Sequence, residues 1–402
     1  MAFRIRLMLF ASAIAMATAV PRQAGAADPA AVGLDAAALK ALDARIAKGE
    51  FNNIDHLLVM RCGENVFERA YAHDYRAIYG AEARKQGPLN AHGSGEYDYF
   101  DADWHPYLHG SDLHTLQSAT KSMTSVVYGA AISRGDFKAP LDTPVLHYFE
   151  ESAVRNVDER KRRMTLRDLL TMSSGFDWNE ELPYDDPGNT AIAMEAADDW
   201  VQYVIDRPMA HEPGTVFAYS SGVSELLAHI FLKETGQDIE RYAQMHLFAP
   251  LGITHHHWKR TPKGLVDTEG GLYLSAPDLA KLGLLFLHDG NWHGKAIVDP
   301  EWIKESLKPR FGGGAVKPGV GWQYGYQWWL RPHVGSAQVD FAARGFGGQL
   351  LFVSPQAGIV MVVNGWNVLG GLPAERIAIE QVLGAVRTSG CPAPGAAADG
   401  RS

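Results

Sequence analysis

The 402-residue chain has little cysteine, no excess of positive charge and no long apolar run after its first 26 residues. Two cysteines, Cys62 and Cys391, cannot build a cysteine-rich zinc site or a small disulfide scaffold. A formal charge of −9 gives no electrostatic pull toward nucleic acid. No later stretch approaches 18 uncharged apolar residues, so the mature chain is expected to be soluble, without a stable membrane anchor. Two hydrolase signatures are also missing. G-x-S-x-G would mark a nucleophile elbow and H-E-x-x-H a zinc site. His255-His256-His257 is conspicuous, but adjacent residues do not easily converge on one ion, and a solvated loop is the expectation. No metal and no cofactor are called for. What is present is 46% apolar and 21% charged residues, the balance of a globular protein with a real core.

Residues 1–26 read as a signal peptide. Arg4 and Arg6 precede the apolar stretch Leu7–Val20, and Ala24-Gly25-Ala26 resembles a cleavage site. The mature chain is therefore expected in the periplasm or outside the cell. No cysteine lies near the cleavage site to carry a lipid. In an oxidising compartment Cys62 and Cys391 either pair or stay free; spacing alone does not choose.

The organisation predicts one discontinuous α+β unit over 27–388. Helical spacing marks 36–49, and two apolar strands around the turn Gly63-Glu64-Asn65 form a hairpin. Residues 72–110 are aperiodic and aromatic, consistent with an ordered lid or pocket wall. Helical patterns follow near 119–134, 165–172, 196–205, 222–236, 238–248, 276–288 and 300–307. Strands are expected at 323–331, 337–343, 348–354 and 359–364, then a helix at about 373–387. Strands, helices, then strands suggest one antiparallel sheet from both chain ends (27–116 and 311–388), flanked by helices. A mostly helical region at about 117–310 is inserted, and a flexible tail covers 389–402.

Ser118-Ala119-Thr120-Lys121 is the one S-x-x-K in the chain, and it opens an apolar helix. Residues i and i+3 share a helix face, so Lys121 reaches the Ser118 hydroxyl. The helix N-terminus favours an alkoxide and an oxyanion. A serine hydroxyl needs an adjacent base, and a lysine serves only if its pKa is depressed. The bland alternative is a serine cap beside a surface lysine. Tyr219 and Ser221 precede a second helix and, in an extended piece, face one cavity; Tyr219 near Lys121 would relay protons. The alternative there is a packed tyrosine and a serine cap. Arg344-Gly345-Phe346-Gly347-Gly348-Gln349 joins two strands, where glycine admits a substrate to the backbone and the Phe346 N–H would complete an oxyanion hole with that of Ser118; the alternative is simply a glycine-rich hairpin turn.

Together these elements resemble the serine β-lactamase and penicillin-binding protein superfamily, in its class C branch. Tyr219 follows Ser118 by 101 residues and Gly345 follows Tyr219 by 126. Leu166–Gly175 and Gly270–Ala280 look like family framework segments. Two positions depart from the pattern. Ser221 stands where class C enzymes resemble Y-x-N, and Ala343 stands where a lysine or histidine greets a substrate carboxylate. Arg344, one residue later, faces the other way in a strand.

The resemblance implies a β-lactamase/transpeptidase-like fold. It also implies an ester or amide hydrolase acting through a Ser118 acyl-enzyme, with Lys121 and Tyr219 as acid–base pair and Ser221 assisting. The departures look like the carboxylesterase and aminohexanoate-oligomer hydrolase branch. The alternatives are a D,D-peptidase or β-lactamase, and a non-catalytic penicillin-binding-type sensor. Asp177, Trp178, Arg344, Gly345 and Gly347 are the expected substrate-binding residues, and a small-molecule ester or amide is the expected partner.

Overall fold

The computed structural model describes residues 27–91, 95–311, 321–333, 338–371, 373–388 and 390–391. The expected leader lies outside them, as does the tail beyond Cys391. The two chain ends meet in a seven-stranded antiparallel sheet. Its strands are β1 (Ile54–Arg61), β2 (Glu64–Ala70), β3 (Gln323–Tyr324), β4 (Trp329–Pro332), β5 (Val339–Gly345), β6 (Gln349–Ser354) and β7 (Ile359–Gly365). They lie in the order β2-β1-β7-β6-β5-β4-β3. Pairing of β1 with β7, for instance Leu58 with Val362, joins the N-terminal hairpin to the C-terminal meander.

Both faces of the sheet are covered, and the strand period of two sorts the side chains. Leu58, Val360 and Val362 enter the core under the helical region, while Leu57, Val59, Met361 and Val363 enter a second core. The second core packs against α1 (Ala36–Ala47) and the C-terminal helical stretch at 374–385. On the first face, the helix Ala276–Leu287 approaches closely at Gly283. A Cβ there would stand 2.7 Å from Val360. Full burial of Leu279, Leu282 and Leu285 on this helix contributes roughly 1.5–3 kcal/mol each before entropic costs. The helix Ala119–Arg134 is buried on all sides from Ala119 to Ala131, which its small Ala, Ser, Thr and Gly residues permit. It ends at Gly135, whose φ of 74° supplies the left-handed cap.

Two expectations are corrected. The strand expected over 323–331 is two strands, because the intervening turn sends its backbone elsewhere: Tyr326 N–H donates to Ser306 O and Gln327 N–H to Leu170 O. The last helix is α only over Ala374–Arg376, then widens to a π-wound stretch at Ile377–Val382. Residues 72–110, where described, form turns and short helices. Tyr75, Tyr79, Leu89 and Tyr99 pack with Trp366 in an aromatic cluster, against which Tyr184 and Phe346 also rest.

Cys62 and Cys391 form a disulfide. Beside it the Arg61 guanidinium donates to Thr388 O at 2.7 Å and Gly390 O at 3.0 Å. The part of the expected flexible tail up to Cys391 is therefore fastened to β1.

Candidate active site

Ser118 immediately precedes the buried helix Ala119–Arg134 and is not its side-chain cap. Its hydroxyl instead accepts a hydrogen bond from Lys121 Nζ at 2.9 Å. The residue before it, Gln117, has φ of 46°, a conformation that costs energy in a non-glycine residue. The strand Leu272–Leu274 fixes this corner: its Leu272 carbonyl accepts from Leu116 N–H, and its N–H donates to Thr120 Oγ1 at 3.1 Å.

Lys121 is 1% exposed, and its Nζ is surrounded by hydrogen-bond acceptors. Besides Ser118, Nζ donates to Ser221 Oγ at 3.0 Å, to the Glu269 carbonyl at 2.7 Å and to Glu269 Oε2 at 3.3 Å. The Tyr219 ring centroid lies 5.3 Å from Nζ, and the Tyr219 hydroxyl interacts with Ser118. Tyr219 and Ser221 thus meet one lysine, as the extended spacing suggested. Ser220, not Ser221, caps the following helix.

Sequence reasoning missed Glu180. Ser221 donates to it twice, from Oγ to Oε1 and from N–H to Oε2, both at 2.7 Å. Tyr184 OH donates to Oε1 at 2.7 Å and Trp178 Nε1 to Oε2 at 2.8 Å. Four donors on one carboxyl suit the ionised form, which only accepts. Burial pushes its pKa up, while Lys121 and the Ser221 bonds pull against that. The signal available in sequence was its position two residues after Trp178, beside a framework segment.

The condition set for a lysine base, a depressed pKa, is not what the surroundings of Lys121 favour. Burial works to lower it, but Tyr219, Glu269 and Glu180 outweigh burial and raise it above the ordinary lysine value. Glu269 is correspondingly held low: burial opposes this, and Lys121 and Lys259 overcome it. Glu195 sits next to Glu269 and is pushed well above the carboxylate range by burial and by the charge of Glu269. It keeps its proton and hydrogen-bonds Glu269. The ion pair of Nζ with Glu269 Oε2 at 3.3 Å favours the ammonium form of Lys121.

A cavity of about 210 Å³ opens over Ser118 and Tyr219. Aromatic walls come from Tyr184, Phe217, Trp322, Trp329 and Phe346. Gly345, Gly348 and Gln349 border it along β5 and its hairpin, where β4 stops pairing at Ala342. A Cβ on Gly345 would stand 2.2 Å from Leu116 O, so only glycine lets β5 approach the segment before Ser118 so closely. Phe346 lines the same cavity as Ser118, one residue past the end of β5. Arg344 also lines it, on the side of Trp322 and Glu375, since the cavity wraps the free strand edge.

Three expected substrate-binding residues lie elsewhere. Asp177 is exposed and pairs with Arg207 at 3.6 Å. Trp178 packs against Gly222 and holds Glu180 from behind. Gly347 turns away: its φ is 79°, and a Cβ would meet the Trp366 ring at 2.8 Å. Each is displaced by the hairpin or loop geometry, which motif order does not reveal.

The family model named Beta-lactamase matches residues 56–382. The chain belongs to the Beta-lactamase family. It is a serine hydrolase of that family, whose relatives include amide and ester hydrolases. It is similar to the 6-aminohexanoate-dimer hydrolase of Paenarthrobacter ureafaciens, 25% identical over 289 residues that make up 67% of this chain and 69% of the relative. Its fold is similar to that of EstCE1, a hydrolase with promiscuous acyltransferase activity. That match has a TM-score of 0.62 and 15% identity, covering 87% of this chain and 97% of the other. A family VIII carboxylesterase matches with a TM-score of 0.60 and 16% identity, over 87% and 96% of the two chains.

Proposed function

We propose that this Beta-lactamase family member hydrolyses short-chain esters or amides through an acyl-enzyme on Ser118, in the manner of a carboxylesterase or aminohexanoate-oligomer hydrolase of the class C branch. The observation that carries the reading is the unbroken hydrogen-bond chain Ser118–Lys121–Ser221–Glu180 opening on an aromatic cavity.

The chemistry follows from the protonation states. An ammonium at Lys121 takes the Ser118 proton only as it passes one of its own to Ser221 Oγ, whose proton moves to Glu180. The Ser118 oxygen bonds to the substrate carbonyl carbon, and the N–H groups of Ser118 and Phe346 receive the oxyanion. Tyr219 gives its proton to the leaving oxygen or nitrogen, and the phenolate left behind faces the Lys121 ammonium. Water then loses a proton to Tyr219 and attacks the acyl carbon. Ser118 leaves with the proton returned from Glu180 through Ser221 and Lys121, and the starting state is restored.

The small aromatic cavity supports short acyl groups and planar leaving groups. The disulfide between Cys62 and Cys391 supports export to an oxidising compartment, in line with the leader expected over 1–26. The test is hydrolysis of a short-chain aryl ester by the mature protein and its loss in Ser118→Ala. Full activity in that variant contradicts the reading.

A further inference from the structure

Among the described residues that line the cavity, Arg344 is the cation, and it is already occupied. Its Nη2 forms an ion pair with Glu375 Oε1. Its guanidinium lies 4.7 Å from the Trp329 ring centroid and 5.5 Å from that of Trp322. Trp322 Nε1 donates to Glu375 Oε2 at 3.1 Å, so both carboxylate oxygens are engaged and Glu375 is held facing Arg344. All four side chains border the cavity. An unpaired arginine flanked by two aromatic rings at a cavity wall is a strong receptor for a carboxylate, through paired N–H bonds. Here the protein supplies the carboxylate itself, from the first turn of its C-terminal helical stretch. Glu180 and Glu181 add further carboxyl groups to the same wall.

We propose that Glu375 determines substrate charge: by occupying Arg344 it turns the cavity against esters and amides that carry a carboxylate and reserves it for neutral or cationic ones. The inference rests on the hydrolase reading above and narrows it to the carboxylesterase form, since an aminohexanoate oligomer itself carries a carboxylate. An anionic substrate must either displace Glu375, leaving that carboxylate partly buried without its cation, or stand unpaired among acidic side chains. Removing the charge of Glu375 while keeping its shape frees the guanidinium and inverts the preference.

The experiment uses two substrates of one chain length, 4-nitrophenyl butyrate and mono-4-nitrophenyl succinate, with wild type, Glu375→Gln and the double variant Arg344→Gln/Glu375→Gln. The readout is the ratio of kcat/KM for the anionic ester to that for the neutral one. Wild type is expected to favour the neutral ester at least tenfold. Glu375→Gln should shift the ratio at least tenfold toward the anionic ester, and the double variant should lose that gain. A ratio that does not move in Glu375→Gln overturns the proposal. So does a gain that survives in the double variant, since it then comes from a widened cavity rather than from Arg344. Hydrolysis of neither ester by wild type instead defeats the hydrolase reading itself.

Discussion

Ser221 stands between Lys121 and Glu180 as both acceptor and donor: it accepts from Nζ at 3.0 Å and donates to Oε1 at 2.7 Å. In the mechanism proposed above, this relationship gives Lys121 somewhere to send a proton.

Glu180→Gln keeps the size of the side chain but cannot take up a proton from Ser221. Acylation should slow about 10²–10⁴-fold, the scale of one proton-transfer group. The wild-type pH profile carries a second signature. The relay needs the ionised carboxyl, and burial raises its pKa from 4.5, so kcat/KM should fall as pH drops through a value above 4.5. Glu180→Gln should lose that acidic limb. Stopped-flow acylation across pH 4–8 checks both; an unchanged limb assigns it to another group.

Lys121→Ala removes the proton conductor and the partner of the Tyr219 phenolate. A loss of at least about 10³-fold in kcat/KM is expected, with most of the fall in kcat. Steady-state kinetics on an aryl ester measure it, and a circular-dichroism melt confirms that the buried site still folds.

His105 makes stability depend on pH. Its ring is buried and neutral, donating Nε2–H to Glu96 O at 3.0 Å and accepting from Tyr273 OH at 3.0 Å on Nδ1. Burial lowers its pKa from 6.5 to about 3, helped by Lys259. A lowered histidine contributes stability that is whole above pH 6.5 and is lost as pH falls toward 3. The slope is about 1.4 kcal/mol per pH unit. Denaturant melts at pH 7, 6 and 5 should show a steeper acid loss in wild type than in His105→Gln. Equal slopes would contradict this assignment.

The Cys62–Cys391 disulfide closes nearly the whole described chain, its ends separated by 329 positions in sequence. Cys391→Ser should lower stability by at most about 5 kcal/mol, through the entropy of the opened unfolded chain. Activity at 25 °C should stay near wild type, since neither cysteine approaches the cavity. A thermal melt paired with an ester assay tests this.

The parts legible in sequence were local. The helix Ala119–Arg134 showed at both ends, because its apolar spacing and Gly135 are read within a few residues. Lys121 was placed on Ser118 by helical pitch alone, and Tyr219 with Ser221 by strand alternation. Glu180 was not legible, because its contact with Ser221 joins positions 41 apart through a loop with no period. The ion pair of Lys121 was not legible for the same reason: its partner Glu269 lies 148 residues away. Asp177 and Trp178 fell within three residues of the right carboxylate, yet a loop without periodicity gives no direction to a side chain.

The most direct measurement is the intact mass of the protein, rapidly quenched during turnover of a mixed panel of short-chain ester, amide and β-lactam. The account predicts an added acyl mass from the ester, located on the peptide that contains Ser118 and absent in Ser118→Ala. Labelling by the β-lactam but not by the ester, or an adduct that persists in Ser118→Ala, would contradict it.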